Sequence, residues 1–157
     1  MNEPSALIIS LHADTREEVN AKAATLEKPL LQVVPQVDLE TQHIVHAGMY
    51  ARTALIRKGA TLTGAQMNLD NICVLYGDIS VTTAEGVKRL TGYHVLPAVA
   101  GYKRVGYAHE DTWWTTFIAT DETDIEKIEN LATDESEKLQ TRTLAIENRE
   151  STVIRLE

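Results

Sequence analysis

The chain has 157 residues, 43% of them hydrophobic and 24% charged, and a formal net charge of -8. That length can bury the core of one domain without staples. The acidic balance argues against a protein that coats polymeric nucleic acid, whose phosphates select a basic face, and no apolar run approaches the ~20 residues of a membrane helix.

The N-terminus shows no basic segment followed by a long apolar stretch, so no signal peptide is read and a cytoplasmic protein is predicted. The single cysteine, Cys73, lies in an apolar run and reads as a buried, inert thiol. Residues 1–42 form an N-terminal decoration. Within them, Ala6-Leu7-Ile8-Ile9 reads as a short strand. Asp14 or Thr15 can cap a helix that places Val19, Ala23 and Leu26 on one face and ends at Pro29. Residues 30–34 read as a β-type run.

Residues 43–120 carry the main unit. Val37, Leu39, Thr41, His43 and Val45 share one face of an alternating stretch that Gly48 breaks. Residues 49–57 read as a strand with Tyr50, Arg52, Ala54 and Ile56 on one side. After a Gly59–Gly64 loop come short runs at 72–76, 79–83, 87–90 and 93–96, separated by Gly77-Asp78, by Ala84-Glu85-Gly86 and by Gly92. Two more follow, at 102–108 and 113–120. Such glycine-punctuated runs predict an antiparallel meander closing into a small barrel or sandwich.

Residues 121–157 change character. Thr123-Asp124-Ile125-Glu126 has capping-box spacing, and Ile125, Ile128 and Leu131 make an apolar stripe at helical spacing. A second helical segment is predicted from Thr133, and Val153-Ile154-Arg155-Leu156 as a closing strand or subunit contact. Charge is unevenly spread. Residues 48–107 hold seven basic and three acidic residues, a local +4, whereas residues 121–157 hold eleven acids and five bases, a local -6. A basic barrel inside an acidic molecule suits a small anion as well as it suits solvated strand faces.

The five histidines are His12, His43, His46, His94 and His109; none forms a His-x-His pair, His43 and His46 would point apart in a strand, and no Gly-x-Ser-x-Gly or phosphate-cradling glycine motif occurs. Adjacent Trp113 and Trp114 must point apart in a strand, and so must Lys103 and Arg104. Trp114, Thr116 and Ile118 share a face. A tryptophan can stack a planar ring and an arginine can grip a phosphate or carboxylate with two bonds.

Gly48-Met49-Tyr50-Ala51-Arg52, the Lys58-Gly59…Leu62-Thr63-Gly64 loop and Gly77-Asp78-Ile79-Ser80-Val81 carry a family resemblance. Lys103-Arg104-Val105-Gly106-Tyr107-Ala108 and Glu110-Asp111-Thr112-Trp113-Trp114-Thr115-Thr116 extend it over roughly residues 43–131. The stretch resembles the cupin superfamily of small β-barrels, and most closely the small cupin-like proteins of tailed bacteriophages. The resemblance implies a mainly β chain: an antiparallel cupin-like jelly-roll barrel with an N-terminal helix and an acidic helical C-terminal segment. Metal-binding cupins place histidines and a glutamate just after the loop. Here that place reads Ala65-Gln66-Met67-Asn68, and Ile118 stands where the phage group leads one to expect a second histidine.

The expected function is therefore non-catalytic binding of a small anion, with a nucleotide-derived host immune signal as one version. Tyr50, Arg52, Lys103, Arg104, Trp114 and Thr116 are the expected ligand-binding residues, with no metal, cofactor or catalytic residue. A homo-oligomer, dimer or larger, is expected, in the cytoplasm of an infected host if the chain is phage-encoded. The alternatives are a virion assembly protein, or a lyase or isomerase of cupin type using His43, His94 or His109.

Overall fold

A computed structural model describes residues 15–33 and 39–139. Ala6–Ile9, Leu144, Ile146 and Val153–Leu156 lie outside the described residues.

Helix α1 spans Arg16–Val33. Thr15 caps it in a reciprocal box: its hydroxyl accepts from the Glu18 N–H at 3.2 Å, and the Glu18 carboxylate accepts from the Thr15 N–H at 3.0 Å. Val19 and Ala23 are buried as their spacing predicts. Pro29 does not end the helix but lies inside it, and residues 30–33 are helical rather than β. Proline removes one bond, to the carbonyl four residues back, and that residue, Thr25, is exposed, so water can satisfy the freed oxygen.

Six strands follow: β1 (Glu40–His46), β2 (Met49–Ile56), β3 (Thr61–Thr63), β4 (Asn71–Thr83), β5 (Gly86–Ala98) and β6 (Val105–Ala119). All pairings are antiparallel, in the order β1-β2-β6-β4-β5, with β3 on the other half of β6. The chain is thus mainly antiparallel β with a helix on either side. The ladder does not close among the described residues, since β1 and β5 remain edges.

Three strands are longer than the local glycine pattern predicts. Gly77-Asp78 is not a turn. The chain runs through it as a bulge, where the β4–β6 register shifts between Tyr76, Asp78 and Ile79. Gly77 has φ +153°, and a Cβ there would sit 2.6 Å from the Thr112 Cα and 2.7 Å from the Asp111 carbonyl oxygen. Because both are backbone atoms, no side-chain rotation relieves the clash. Gly77→Ala should therefore cost about 2–3 kcal/mol, read as a lowered midpoint in urea with unchanged slope. In the same way Gly92 is crossed within β5, and the runs at 102–108 and 113–120 merge into β6. The turn at Ala84-Glu85 is a true hairpin, with the Thr83 hydroxyl donating to the Gly86 carbonyl at 2.7 Å.

Helix α2 (Ile125–Ala132) is capped by Asp124, not Thr123: the Asp124 carboxylate accepts from the Lys127 N–H at 3.1 Å. Glu122 instead reaches the Thr123 and Asp124 amides. Ile128 and Ala132 bury against Tyr50 and Ile118, with Ile125 packed beside them, while Leu131 is exposed. Of the second helical segment predicted from Thr133, the described residues hold a 3-10 turn, Ser136–Lys138, and the rest lies outside them. The core therefore falls into an α2 end (Tyr50, Ile118, Ile128, Ala132), a middle (Ile56, Leu75, Ile79, Ala108) and an α1 end (Ala23, Val105).

Candidate functional site

Between the inward sheet face and α2 lies a cavity of about 180 Å³. Its floor follows from strand alternation. Tyr50, Arg52, Ala54 and Ile56 of β2 line it, as do Trp114, Thr116 and Ile118 of β6 and Cys73, Ile79 and Val81 of β4. The walls are mostly apolar, with a few polar groups among them, the composition expected of a small-molecule site.

Of the six residues expected from sequence, five line this cavity: Tyr50, Arg52, Arg104, Trp114 and Thr116. Lys103 does not. Its Nζ lies 3.0 Å from both Glu135 carboxylate oxygens and 3.2 Å from a Glu27 oxygen, with the side chain only 4% exposed. Adjacent residues diverge, so Arg104 turns to the cavity and Lys103 away, into a structural ion pair linking α1 to the segment after α2.

Arg52 and Arg104 are held differently. The Arg104 guanidinium donates to the Thr82 carbonyl at 3.3 Å and stacks over Tyr102, its carbon 5.6 Å from the ring centre. Arg52 is half-buried, its Nε is buried without a hydrogen-bond partner, and no carboxylate of the described residues forms a salt bridge with it. A cation removed from water normally finds an anion. Among the described residues the single acid lining the cavity is Glu129 of α2, buried and placed near enough to act on Tyr50. Two arginines against one glutamate leave the described lining at +1.

Tyr50 shares a 2.7 Å hydrogen bond with the Nδ1 of buried His43. Burial pushes its phenol well above the ordinary value, the Arg52 charge opposes this, and Glu129 adds to it. It is a neutral hydrogen-bonding group near neutral pH. Burial likewise raises the Cys73 thiol, against the opposing effects of Thr116, Trp114 and Arg104. Its Sγ donates to the Asn71 side-chain oxygen at 3.3 Å. A protonated thiol is a poor nucleophile, so Cys73 is part of the wall.

The three histidines considered for catalysis do not converge. His43 faces Tyr50, His94 Nε2 meets the Thr91 carbonyl at 2.9 Å, and His109 Nε2 meets the Ser80 hydroxyl at 2.7 Å. Among the described residues no three His, Cys, Asp or Glu side chains are grouped to hold a metal ion. Glu110 and Asp111 are salt-bridged to Lys58 and Arg57 on the exposed surface.

Glu129 and Tyr102 are among the cavity residues that escaped the sequence reading. Glu129 sits beside buried Ile128, and only the docking of α2 brings it to the sheet. Tyr102 follows Gly101 in the loop before β6 and carries Arg104 on its face. The local signal for Tyr102 was its place beside the Lys-Arg pair.

No protein-family model matches the chain, and no curated protein does. Several solved structures are similar to it. One is KdgF from a Halomonas species, with a TM-score of 0.46 and 17% identity, covering 56% of this chain and 87% of that one. Another is a cupin superfamily protein from Desulfitobacterium hafniense, at 0.45 and 12%, over 59% and 89%. A third, from Methanocaldococcus jannaschii, is an RmlC-like cupin with a double-stranded β-helix fold, at 0.43 and 8%, over 56% and 93%. Cupins thus recur among the similar structures, but at these scores the likeness carries no argument about ligand or activity.

Proposed function

We propose that the chain binds a small organic anion in the cavity lined by Arg52, Arg104, Tyr50, Trp114 and Thr116. One observation carries this reading: Arg52 is a half-buried cation at a ligand-sized cavity, with no carboxylate of the described residues bridging it and a buried Nε left without a partner. A bound carboxylate or phosphate would supply the anion that the described residues do not bring to Arg52. Trp114 contributes an indole and Thr116 a hydroxyl to the lining, so the complement is a flat or compact apolar body bearing one acidic group.

Size narrows the class. About 180 Å³ is close to the ~150 Å³ that holds a benzene molecule in an apolar protein cavity. One ring and one acidic group fit, whereas a dinucleotide would leave most of itself outside. The version suggested by the phage resemblance, sequestration of a nucleotide-derived immune signal, therefore needs a ligand inserting a single base.

Titration calorimetry with benzoate, short dicarboxylates, nucleoside monophosphates and cyclic mononucleotides tests both levels. Saturable binding of at least one anion, weakened by salt, is expected. Indifference to every member of the panel, by a chain shown to be folded, removes the proposal. Binding of carboxylates alone removes only the nucleotide version.

A further inference from the structure

One buried titratable side chain stands beside the cavity without lining it. His43 lies on β1, where burial alternates: Thr41 and His43 face inward, Gln42 and Ile44 outward. Its Nδ1 shares the 2.7 Å hydrogen bond with the hydroxyl of Tyr50, a lining residue, and the two rings stack with centres 5.9 Å apart. Register sets His43 directly opposite Arg52, and facing residues of an antiparallel pair share one side of the sheet. His43 is thus joined to the cavity through Tyr50, with the half-buried Arg52 as its cross-strand neighbour.

We infer that His43 is a positioning residue that couples anion binding to the uptake of a proton, by turning the Tyr50 hydroxyl towards the ligand. The inference rests on the anion site proposed above. Neutral His43 with a bare Nδ1 takes the Tyr50 proton into its hydrogen bond and leaves the phenol oxygen's lone pairs to the cavity, where they repel a carboxylate. Protonated His43 donates from both ring nitrogens, so Nδ1–H donates to the Tyr50 oxygen and the phenol proton is released to the anion. The proton taken up comes from solvent and stays on His43. Tyr50 keeps its own, because burial, with Glu129 adding, holds its phenol well above the ordinary value against the Arg52 charge. Charge makes the two events favour each other. A proton on His43 puts a second cation opposite Arg52, and an anion on Arg52 cancels that repulsion. By linkage the histidinium strengthens the hold on the anion to the same degree. Among the described residues, the titratable and charged groups that bear on the pair are Tyr50 and Arg52 of β2 and Glu129 of α2, with Cys73 of β4 and Arg104 farther along the lining. Thr41 and Val45, the neighbours of His43 on its own strand face, do not titrate.

Calorimetry of benzoate binding to the full chain tests this, in Bis-Tris and in Tris, two cationic buffers of different ionisation enthalpy. Benzoate stays ionised from about pH 8 to about pH 6, so the probe itself adds no proton. The expected result is uptake of about 0.5–1 proton per benzoate near neutral pH, with affinity rising about 3- to 10-fold per pH unit as pH falls. His43→Gln keeps a side chain able to bond Tyr50 and removes the titration, so the uptake should vanish and affinity should stay within about twofold across the range. Tyr50→Phe keeps the ring and should lose more affinity at about pH 6 than at about pH 8. A neutral Nδ1–H tautomer would release the same phenol proton without uptake, so benzoate binding with no proton uptake overturns the inference and leaves the anion site standing. Uptake that persists in His43→Gln assigns the proton to another group and overturns it as well. So does an equal loss at both ends of the range in Tyr50→Phe, a comparison that holds even if His43→Gln does not fold. Failure of benzoate to bind at every pH also overturns it, and failure of the whole anion panel removes the site beneath it.

Discussion

Arg52→Met should lower anion affinity about 10- to 100-fold while leaving the ligand-free protein as stable as the wild type or more so, by ~1 kcal/mol. The two signs come from one fact. The arginine's Nε is buried without a hydrogen bond, and no described carboxylate bridges the side chain. Methionine has similar length and no charge, so it removes a desolvation cost from the empty protein and the grip from the complex. Calorimetry against the tightest anion gives the first quantity and urea unfolding the second. Arg52→Lys should fall between, since it keeps the charge and loses the planar fork. Affinity within a factor of about two of wild type in Arg52→Met would refute the role. A stability loss above ~2 kcal/mol would mark Arg52 as structural.

Lys103→Met should do the opposite: destabilise by about 3–4 kcal/mol, lower the unfolding midpoint by about 10 °C, and leave per-molecule anion affinity near wild type. The ammonium is buried between Glu27 and Glu135, whose side chains are 13% and 23% exposed. Without it the cation left to those carboxylates among the described residues is Lys138, itself 57% exposed.

The same cluster sets an acid limit. Burial opposes ionisation of Glu135, but the Gln66 N–H, Lys138 and Lys103 outweigh it and hold its carboxyl at about 2 against an ordinary 4.5. The folded value lies below the unfolded one. The contribution is therefore complete above about pH 4.5 and is lost as pH falls towards 2. It amounts to about 2–3 kcal/mol, discounted because solvent reaches the carboxylate. In Lys103→Met the loss between those limits should be smaller, because one of the groups stabilising the charge is gone. Urea midpoints measured from pH 5 down to about pH 2 read both slopes. Equal slopes in the two proteins would place the acid sensitivity elsewhere.

The two arginine and lysine outcomes also show where sequence reasoning reaches its limit. Lys103 and Arg104 are neighbours of the same charge, and alternation alone says that they diverge. It cannot say which one meets an anion supplied by the chain and which meets the cavity. That was decided by Glu27 and Glu135, 76 residues back and 32 residues on, arriving on the side that Lys103 faces. Pro29 and Gly77 misled for a related reason. Each breaks a local pattern, but the helix continued where a freed carbonyl stayed at the surface, and the strand continued where its partner could absorb a bulge.

What the sequence determined by itself was period and side. Tyr50, Arg52, Ala54 and Ile56, and Trp114, Thr116 and Ile118, share their faces because the pleat of an extended L-chain repeats every two residues whatever surrounds it. Only the tertiary structure decided that these two faces look into one cavity and that Glu129 and Tyr102 join them. Those outcomes depend on contacts between residues far apart in the chain, and such contacts leave no local periodicity to read.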